Sequence, residues 1–176
     1  MQEDPKENLD LFDEHEEVVS EDGKEVKRRG IFLLPNLLTT AALFSGFFSI
    51  ISAIDGNFVS AGMAIFAAQM LDGLDGRVAR LTNSQSAFGA QYDSLSDVIS
   101  FGLAPAIIIF LWGLNSIGQA GWIFSFLYVA AAALRLARFN TYLGSEDNFF
   151  KGLPSPIAGA MIVYFVWAMS SYGIQG

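Results

Sequence analysis

The sequence predicts an all-α protein, a polytopic membrane helical bundle, and three observations carry that expectation. Hydrophobic residues fill 52% of the 176 positions and charged residues only 16%, where a soluble domain carries about 25% charged; mean hydropathy is +0.40. The apolar residues are gathered into blocks: Ile31–Ile54, Val98–Leu134 and Gly152–Gly176 hold no charge, and about 20 apolar residues suffice to cross a bilayer. Basic residues are also distributed unevenly, occurring at alternate loops.

Residues 1–29 read as an acidic, disordered cytoplasmic tail, and residues 30–176 as a transmembrane catalytic domain. Eleven of the 18 acidic residues fall in the first 25 positions, so the formal net charge of −8 belongs largely to this segment. It lacks an apolar face long enough to fold on, and lacks the apolar h-region of a signal peptide. The chain has no cysteine, which excludes disulfides, thiol catalysis and zinc–thiolate centres. Its one histidine, His15, lies in the tail, which argues against a histidine-based triad. No nucleic-acid partner is expected.

Five spans follow. The first covers Ile31–Ile54, with Pro35 suited to a helix start. After the Asp55–Asn57 turn, the second covers Phe58–Leu81. The third covers Ser86–Trp112. The Gly/Asn/Ser-rich stretch Gly113–Ala120 is a turn, and the fourth span covers Gly121–Tyr142. A loop over Leu143–Leu153 precedes Pro154, which opens the fifth span, to about Tyr172. Lys24, Lys27, Arg28 and Arg29 precede the first span, Arg77 and Arg80 flank the second loop, and Arg135, Arg138 and Lys151 flank the fourth. The first and third loops have no Lys or Arg. By the positive-inside rule the N-terminus, second loop and fourth loop face the cytoplasm.

That orientation gathers an unusual set of residues at one membrane face. Asp72, Asp75, Gly76, Ala79, Arg80, Gly89, Asp93 and Asp97 follow the pattern D-x2-D-G-x2-A-R-x8-G-x3-D-x3-D. Eight set types at set spacing arise by chance on the order of once in a billion starts. Asp72 and Asp75 are spaced i, i+3 and Asp93 and Asp97 i, i+4, so each pair projects from one face of a helix. Each Asp in a span costs roughly 2.5–3.5 kcal/mol on insertion scales, so four cost on the order of 10 kcal/mol, less near a membrane face. Divalent cations compensate such a cluster, and hard oxygen ligands suit magnesium, manganese or calcium. The plainer alternative is helix-end carboxylates paired with Arg77 and Arg80. Gly73, Gly76 and Gly89 remove side chains, either for close helix packing or for clearance of a substrate phosphate. Metals bridging phosphate oxygens, with a carboxylate to take a hydroxyl proton, suit phosphoryl-type transfer.

The eight-residue pattern resembles the signature of the CDP-alcohol phosphotransferases. The resemblance implies that Asp72, Asp75, Asp93 and Asp97 bind two divalent cations, Mg2+ or Mn2+ with Ca2+ as another occupant. It implies that Asp97 is also the catalytic general base. Gly76, Ala79, Arg80 and Gly89 would hold the CDP-lipid, Arg80 meeting a phosphate as a fork of donors. Asn36, in the Pro35-Asn36 pair of LLPNLLT, is expected near the nucleotide. ALRLARFN (Ala133–Asn140) and FFKGLPSP (Phe149–Pro156) resemble the bacterial membrane-embedded phosphatidylserine synthases, over roughly residues 30–172. That resemblance implies transfer of a phosphatidyl group from CDP-diacylglycerol to L-serine, giving phosphatidylserine and CMP.

A serine carboxylate needs a cation, and Arg135, Arg138 and Lys151 are at the right face, with Asn140 and Ser155 as further candidate contacts. Arg135 and Arg138 share a helix face, although basic residues also serve there as membrane anchors. The resemblance further implies a homodimer in the bacterial inner membrane with its active site towards the cytoplasm. Members of the family generally have at least six spans, so a sixth is expected to be missing at the C-terminus. Three other readings stay open: a sister enzyme using glycerol 3-phosphate or inositol phosphate, a divalent-cation transporter, and an inactive, truncated scaffold. A transporter would want ionisable residues across the membrane depth, which Val98–Leu134 does not offer.

Overall fold

The computed structural model describes residues 18–21, 24–27, 33–82, 86–142 and 153–174. The chain divides into two compact units, Met1–Ile31 and Phe32–Gly176. In the first, β1 (Val18–Glu21) pairs antiparallel with β2 (Lys24–Lys27), Val18 opposite Lys27 and Glu21 opposite Lys24. The sequence analysis placed no strand there. The sequence between the two strands is Asp22-Gly23, a pair favoured in two-residue hairpin connections.

Every described element of the second unit is helical. Helix α1 (Leu33–Ile54) has Pro35 in its first turn, where a missing N–H costs nothing. It ends at Gly56, whose φ of 75° lets the chain reverse. Asn57 then caps α2 (Phe58–Leu81), its Oδ1 accepting from the Ser60 N–H at 3.0 Å. Helices α1 and α2 pack along each other; with only three residues between them they form an antiparallel hairpin.

Ser86 caps α3 (Ala87–Asp97), its Oγ accepting from the Gly89 N–H at 2.9 Å. A π turn, Val98–Leu103, joins α3 to α4 (Ala104–Trp112). The third span is thus one helical rod from Phe88 to Trp112 with a wide turn in its middle. A 3₁₀ turn (Leu114–Ile117) leads to α5 (Gln119–Tyr142), and Pro154 precedes α6 (Ser155–Ser171). The helical segments therefore lie within two residues of the limits expected for all five spans.

The apolar core lies in one half of the bundle. Ala53, Ala61, Ile65, Ala104, Ile108, Val163 and Val166 pack together there, with Trp112 and Tyr164 against them. Small residues at Ala61 and Gly62 of α2 allow close approach; a methyl at Gly62 would meet the Trp167 ring at 2.8 Å. Outward faces remain apolar, with Phe44, Phe66, Phe124 and Leu134 all more than half exposed. Such surfaces are unfavourable in water and neutral among lipid tails. Three helical segments among the described residues, Leu34–Ile54, Phe88–Trp112 and Gln119–Thr141, are long and apolar enough to cross a membrane. Helix α2 is long enough but ends in the charged motif, and α6 is apolar but shorter.

Candidate active site

The bundle end opposite this core carries the four aspartates of the motif. Asp72 and Asp75 project from the last turns of α2, and Asp93 and Asp97 from α3. One carboxylate oxygen from each of Asp72, Asp75 and Asp93 lies within 4.8 Å of the others. Asp97, one turn further along α3, is close enough to Asp72 and Asp93 for their charges to act on it. Two unit negative charges so placed repel by about 3–4 kcal/mol at an effective dielectric of about 20. The arrangement therefore needs protons or cations between the oxygens. Among the described residues neither Arg77 nor Arg80 makes an ion pair with these carboxylates, and the Arg80 Nε is directed to the Gly76 carbonyl instead. This removes the reading of helix-end carboxylates paired with those arginines.

The donor set fits a divalent cation. All four groups are hard carboxylate oxygens, and Asp93 Oδ1 and Asp97 Oδ1 are buried with no hydrogen-bond partner among the described residues. A carboxylate oxygen left in that condition is costly unless a cation or a substrate proton meets it.

Helix α1 orients the cluster from the side. Thr39, 4% exposed, donates from Oγ1 to Asp75 Oδ2 at 2.7 Å, and also lies 3.1 Å from the Pro35 carbonyl. The sequence analysis gave Thr39 no role. It stands one helical turn after Pro35, on the α1 face that meets α2, and that position was the available signal. Asn36 is half-buried beside the start of α3: a methyl at Gly89 would sit 3.5 Å from Asn36 Oδ1 and 3.1 Å from Ser86 Oγ. Gly89 thus leaves room for its own helix cap and for Asn36.

Gly73 and Gly76 behave differently. Both are exposed, and a methyl at either would meet nothing within 4 Å. Helix packing does not require them, so their bare backbone faces open space beside the carboxylates. Ala79 is half-buried, and Arg80 is exposed with its Nε donating to the Gly76 carbonyl at 3.0 Å.

Three of the five residues considered for an acceptor are held in two hydrogen-bonded pairs. Arg135 Nη1 donates to Ser155 Oγ at 2.9 Å, joining α5 to the start of α6. Asn140 Nδ2 donates to Ser94 Oγ at 3.0 Å, joining α5 to the residue after Asp93. Ser94 was not singled out from the sequence, because a serine in an apolar helix carries no pattern of its own. Gln69, one turn before Asp72, donates to the Pro156 carbonyl at 2.8 Å and accepts from the Tyr164 hydroxyl. The Arg135–Ser155 pair is thereby tied to the helix that carries Asp72. Arg138 is exposed at the same end of α5. Lys151 lies outside the described residues, as do Arg28 and Arg29 of the N-terminal basic group.

The similarity of the chain to known proteins agrees with this geometry. Residues 32–175 match the family model for CDP-alcohol phosphatidyltransferase. A Helicobacter pylori CDP-diacylglycerol–serine O-phosphatidyltransferase is 43% identical over 143 residues, covering 81% of this chain and 60% of the relative. A Mycobacterium tuberculosis protein of the same name is 40% identical over 147 residues, 79% of this chain and 51% of the relative. An archaetidylserine synthase of Methanothermobacter thermautotrophicus is 42% identical over 134 residues, 75% of this chain and 57% of the relative. The chain spans between half and three-fifths of the length of these relatives. The matched region contains all four aspartates and both helices that bring them together, and the chain belongs to the CDP-alcohol phosphatidyltransferase family.

Proposed function

We propose that the protein transfers the phosphatidyl group of CDP-diacylglycerol to L-serine, releasing CMP. The observation that carries this reading is the convergence of carboxylates of Asp72, Asp75 and Asp93 from α2 and α3, with unpartnered buried oxygens on Asp93 and Asp97, beside the open backbone of Gly73 and Gly76. The serine acceptor is supported by the names of the bacterial and archaeal relatives, which agree on a serine product.

In this mechanism Asp72, Asp75, Asp93 and Asp97 hold two divalent cations, Mg2+ or Mn2+. When bound, these neutralise charge on the diphosphate and on the departing CMP. Gly76 gives the cytidine diphosphate close access to the backbone, Ala79 lines the same side, and Gly89 leaves room for Asn36 beside the nucleotide. Arg80 turns from the Gly76 carbonyl to a phosphate oxygen, a short movement for an exposed side chain. Arg135, held by Ser155, takes the serine carboxylate, and Arg138, Asn140 and Lys151 complete the acceptor side. Asp97 accepts the proton of the serine hydroxyl. The hydroxyl oxygen then bonds to the phosphorus bearing diacylglycerol, the phosphoanhydride bond breaks, and CMP leaves. The lipid chains stay in the bilayer throughout. We place the protein as a homodimer in the bacterial inner membrane, with this site towards the cytoplasm.

The test is CMP release from CDP-diacylglycerol by the purified protein in detergent with Mn2+, with L-serine, glycerol 3-phosphate or inositol phosphate as acceptor. Serine-dependent release is expected. Asp97→Asn should lower it by roughly 10²–10⁴-fold, the usual worth of a positioned base. Release only with a phosphorylated acceptor would overturn the serine assignment. An Asp97→Asn protein as fast as the wild type would overturn the base assignment.

A further inference from the structure

The π turn at Val98–Leu103 begins immediately after Asp97. Within it the Ala104 N–H donates to the Ile99 carbonyl, five residues back, instead of to Ser100. The next residue is Pro105, which has no N–H to offer the carbonyl four residues before it, Phe101. The Phe101 carbonyl instead accepts from the Tyr128 hydroxyl of α5 at 3.0 Å. The carbonyl to which the proline can give no four-residue bond is thus held by a side chain from another helix.

The neighbouring helices are shaped to this widened turn. A methyl at Gly46 of α1 would lie 2.3 Å from Ser100 Oγ, and one at Gly159 of α6 would lie 2.7 Å from the Phe101 carbonyl oxygen. A methyl at Gly102 would meet Ala132 of α5 at 3.3 Å. Three helices close on the turn, and glycine stands at each tightest approach.

A π turn amounts to one extra residue in the rod, and each residue of an α-helix advances it by about 100°. With side chains on a cylinder about 10–12 Å across, healing the turn would swing the carboxylates of α3 by on the order of 8 Å relative to α4. The aspartate cluster tolerates nothing of that size, because oxygens of Asp72 and Asp75 on α2 and Asp93 on α3 lie within 4.8 Å of one another.

We propose that Tyr128 is a positioning residue: its hydroxyl, by holding the Phe101 carbonyl to which Pro105 can offer no N–H, keeps the π turn in place and so sets the rotation at which Asp93 and Asp97 face Asp72 and Asp75. The proposal rests on the transferase reading for its effect on turnover, but its structural half is testable without any acceptor.

The variant is Tyr128→Phe, which keeps the ring and removes only the hydroxyl. Spin labels at Leu95→Cys and Leu134→Cys, both exposed sites in a chain without cysteine, report the rotation of α3 against α5. Mn2+ binding by electron paramagnetic resonance, melting temperature and serine-dependent CMP release are measured on the same detergent-purified protein. A second variant, Tyr128→Phe with Pro105→Ala, restores an N–H to the ladder and should complete the change. The expected result is a shifted or broadened label distance, Mn2+ affinity lowered about fivefold or more, and kcat lowered about tenfold with KM for serine within twofold. The double variant should be affected more strongly than the single one. An unchanged label distance in both variants overturns the proposal whatever happens to turnover. A changed distance with Mn2+ affinity and kcat as in the wild type overturns it equally. Wild-type CMP release only with a phosphorylated acceptor would sink the serine reading alone, since label distance and Mn2+ binding involve no acceptor.

Discussion

At the scale of single residues, the chemistry of the site depends on how each carboxylate is supported. Asp75 is 5% exposed and receives the Thr39 hydroxyl at 2.7 Å. Replacing that hydroxyl with the isosteric methyl in Thr39→Val keeps the helix and strips a buried carboxylate of a donor. Losing an outer contact of a metal-binding group typically costs about 10–100-fold in affinity. The concentration of Mn2+ giving half-maximal CMP release should therefore rise about tenfold or more in Thr39→Val, while the KM for serine stays near its wild-type value. A Mn2+ titration indistinguishable from wild type would show that Thr39 serves packing alone. The four aspartates were legible from spacing because carboxylates are rare and costly in apolar helices. Thr39, Ser94 and Gln69 were not, since single hydroxyls and amides are ordinary in such helices and acquire meaning only from the partner across the interface.

At the scale of elements, the glycines of the bundle separate into two kinds that the sequence does not distinguish. A methyl at Gly159 would stand 2.7 Å from the Phe101 carbonyl and 3.0 Å from Pro105 Cγ, against the π turn. Overpacking of that degree costs about 1–3 kcal/mol, so Gly159→Ala should melt several degrees lower. Gly76 faces open space, and alanine is favoured over glycine in a helix by roughly 1 kcal/mol. Gly76→Ala should therefore melt at or above the wild-type temperature, and yet show a several-fold higher KM for CDP-diacylglycerol. Thermal melting followed by static light scattering, with steady-state assays on both proteins, separates the two cases; a destabilised Gly76→Ala would place that residue in helix packing after all. The helix limits themselves were legible, because charge-free blocks and the Asn57 and Pro154 boundaries mark them. The division of the third span was not. Pro105 was not singled out from the sequence, and whether a helix answers a proline with a kink or a π turn depends on the neighbours, here Gly46, Tyr128 and Gly159. The β1–β2 hairpin was obscured by the charge of its surroundings.

At the scale of the whole helical unit, the bundle divides its polarity along its length. The core of Ala61, Ile65, Ile108 and Val163 fills one half, and the carboxylates and the Arg135–Ser155 and Asn140–Ser94 pairs occupy the other. Arg77 and Arg80 lie in the last turns of α2, and Arg135 and Arg138 in the last turns of α5. The opposite end, at Asp55–Asn57 and Leu114–Gly118, has no basic residue. Basic residues resist translocation and acidic ones matter little to that choice, so the end with the arginines should remain on the cytoplasmic side. Because the chain has no cysteine, single substitutions report this directly. Leu81→Cys, 84% exposed at the end of α2, should react with a membrane-impermeant maleimide only in inverted vesicles. Asn115→Cys, exposed in the 3₁₀ turn, should react only in right-side-out cells. Reversed labelling would leave the helical fold intact and place the active site on the outer face. Labelling of both sites from the same side would contradict a rod that crosses the membrane from α3 through the π turn to α4, and with it the spanning arrangement on which the orientation rests.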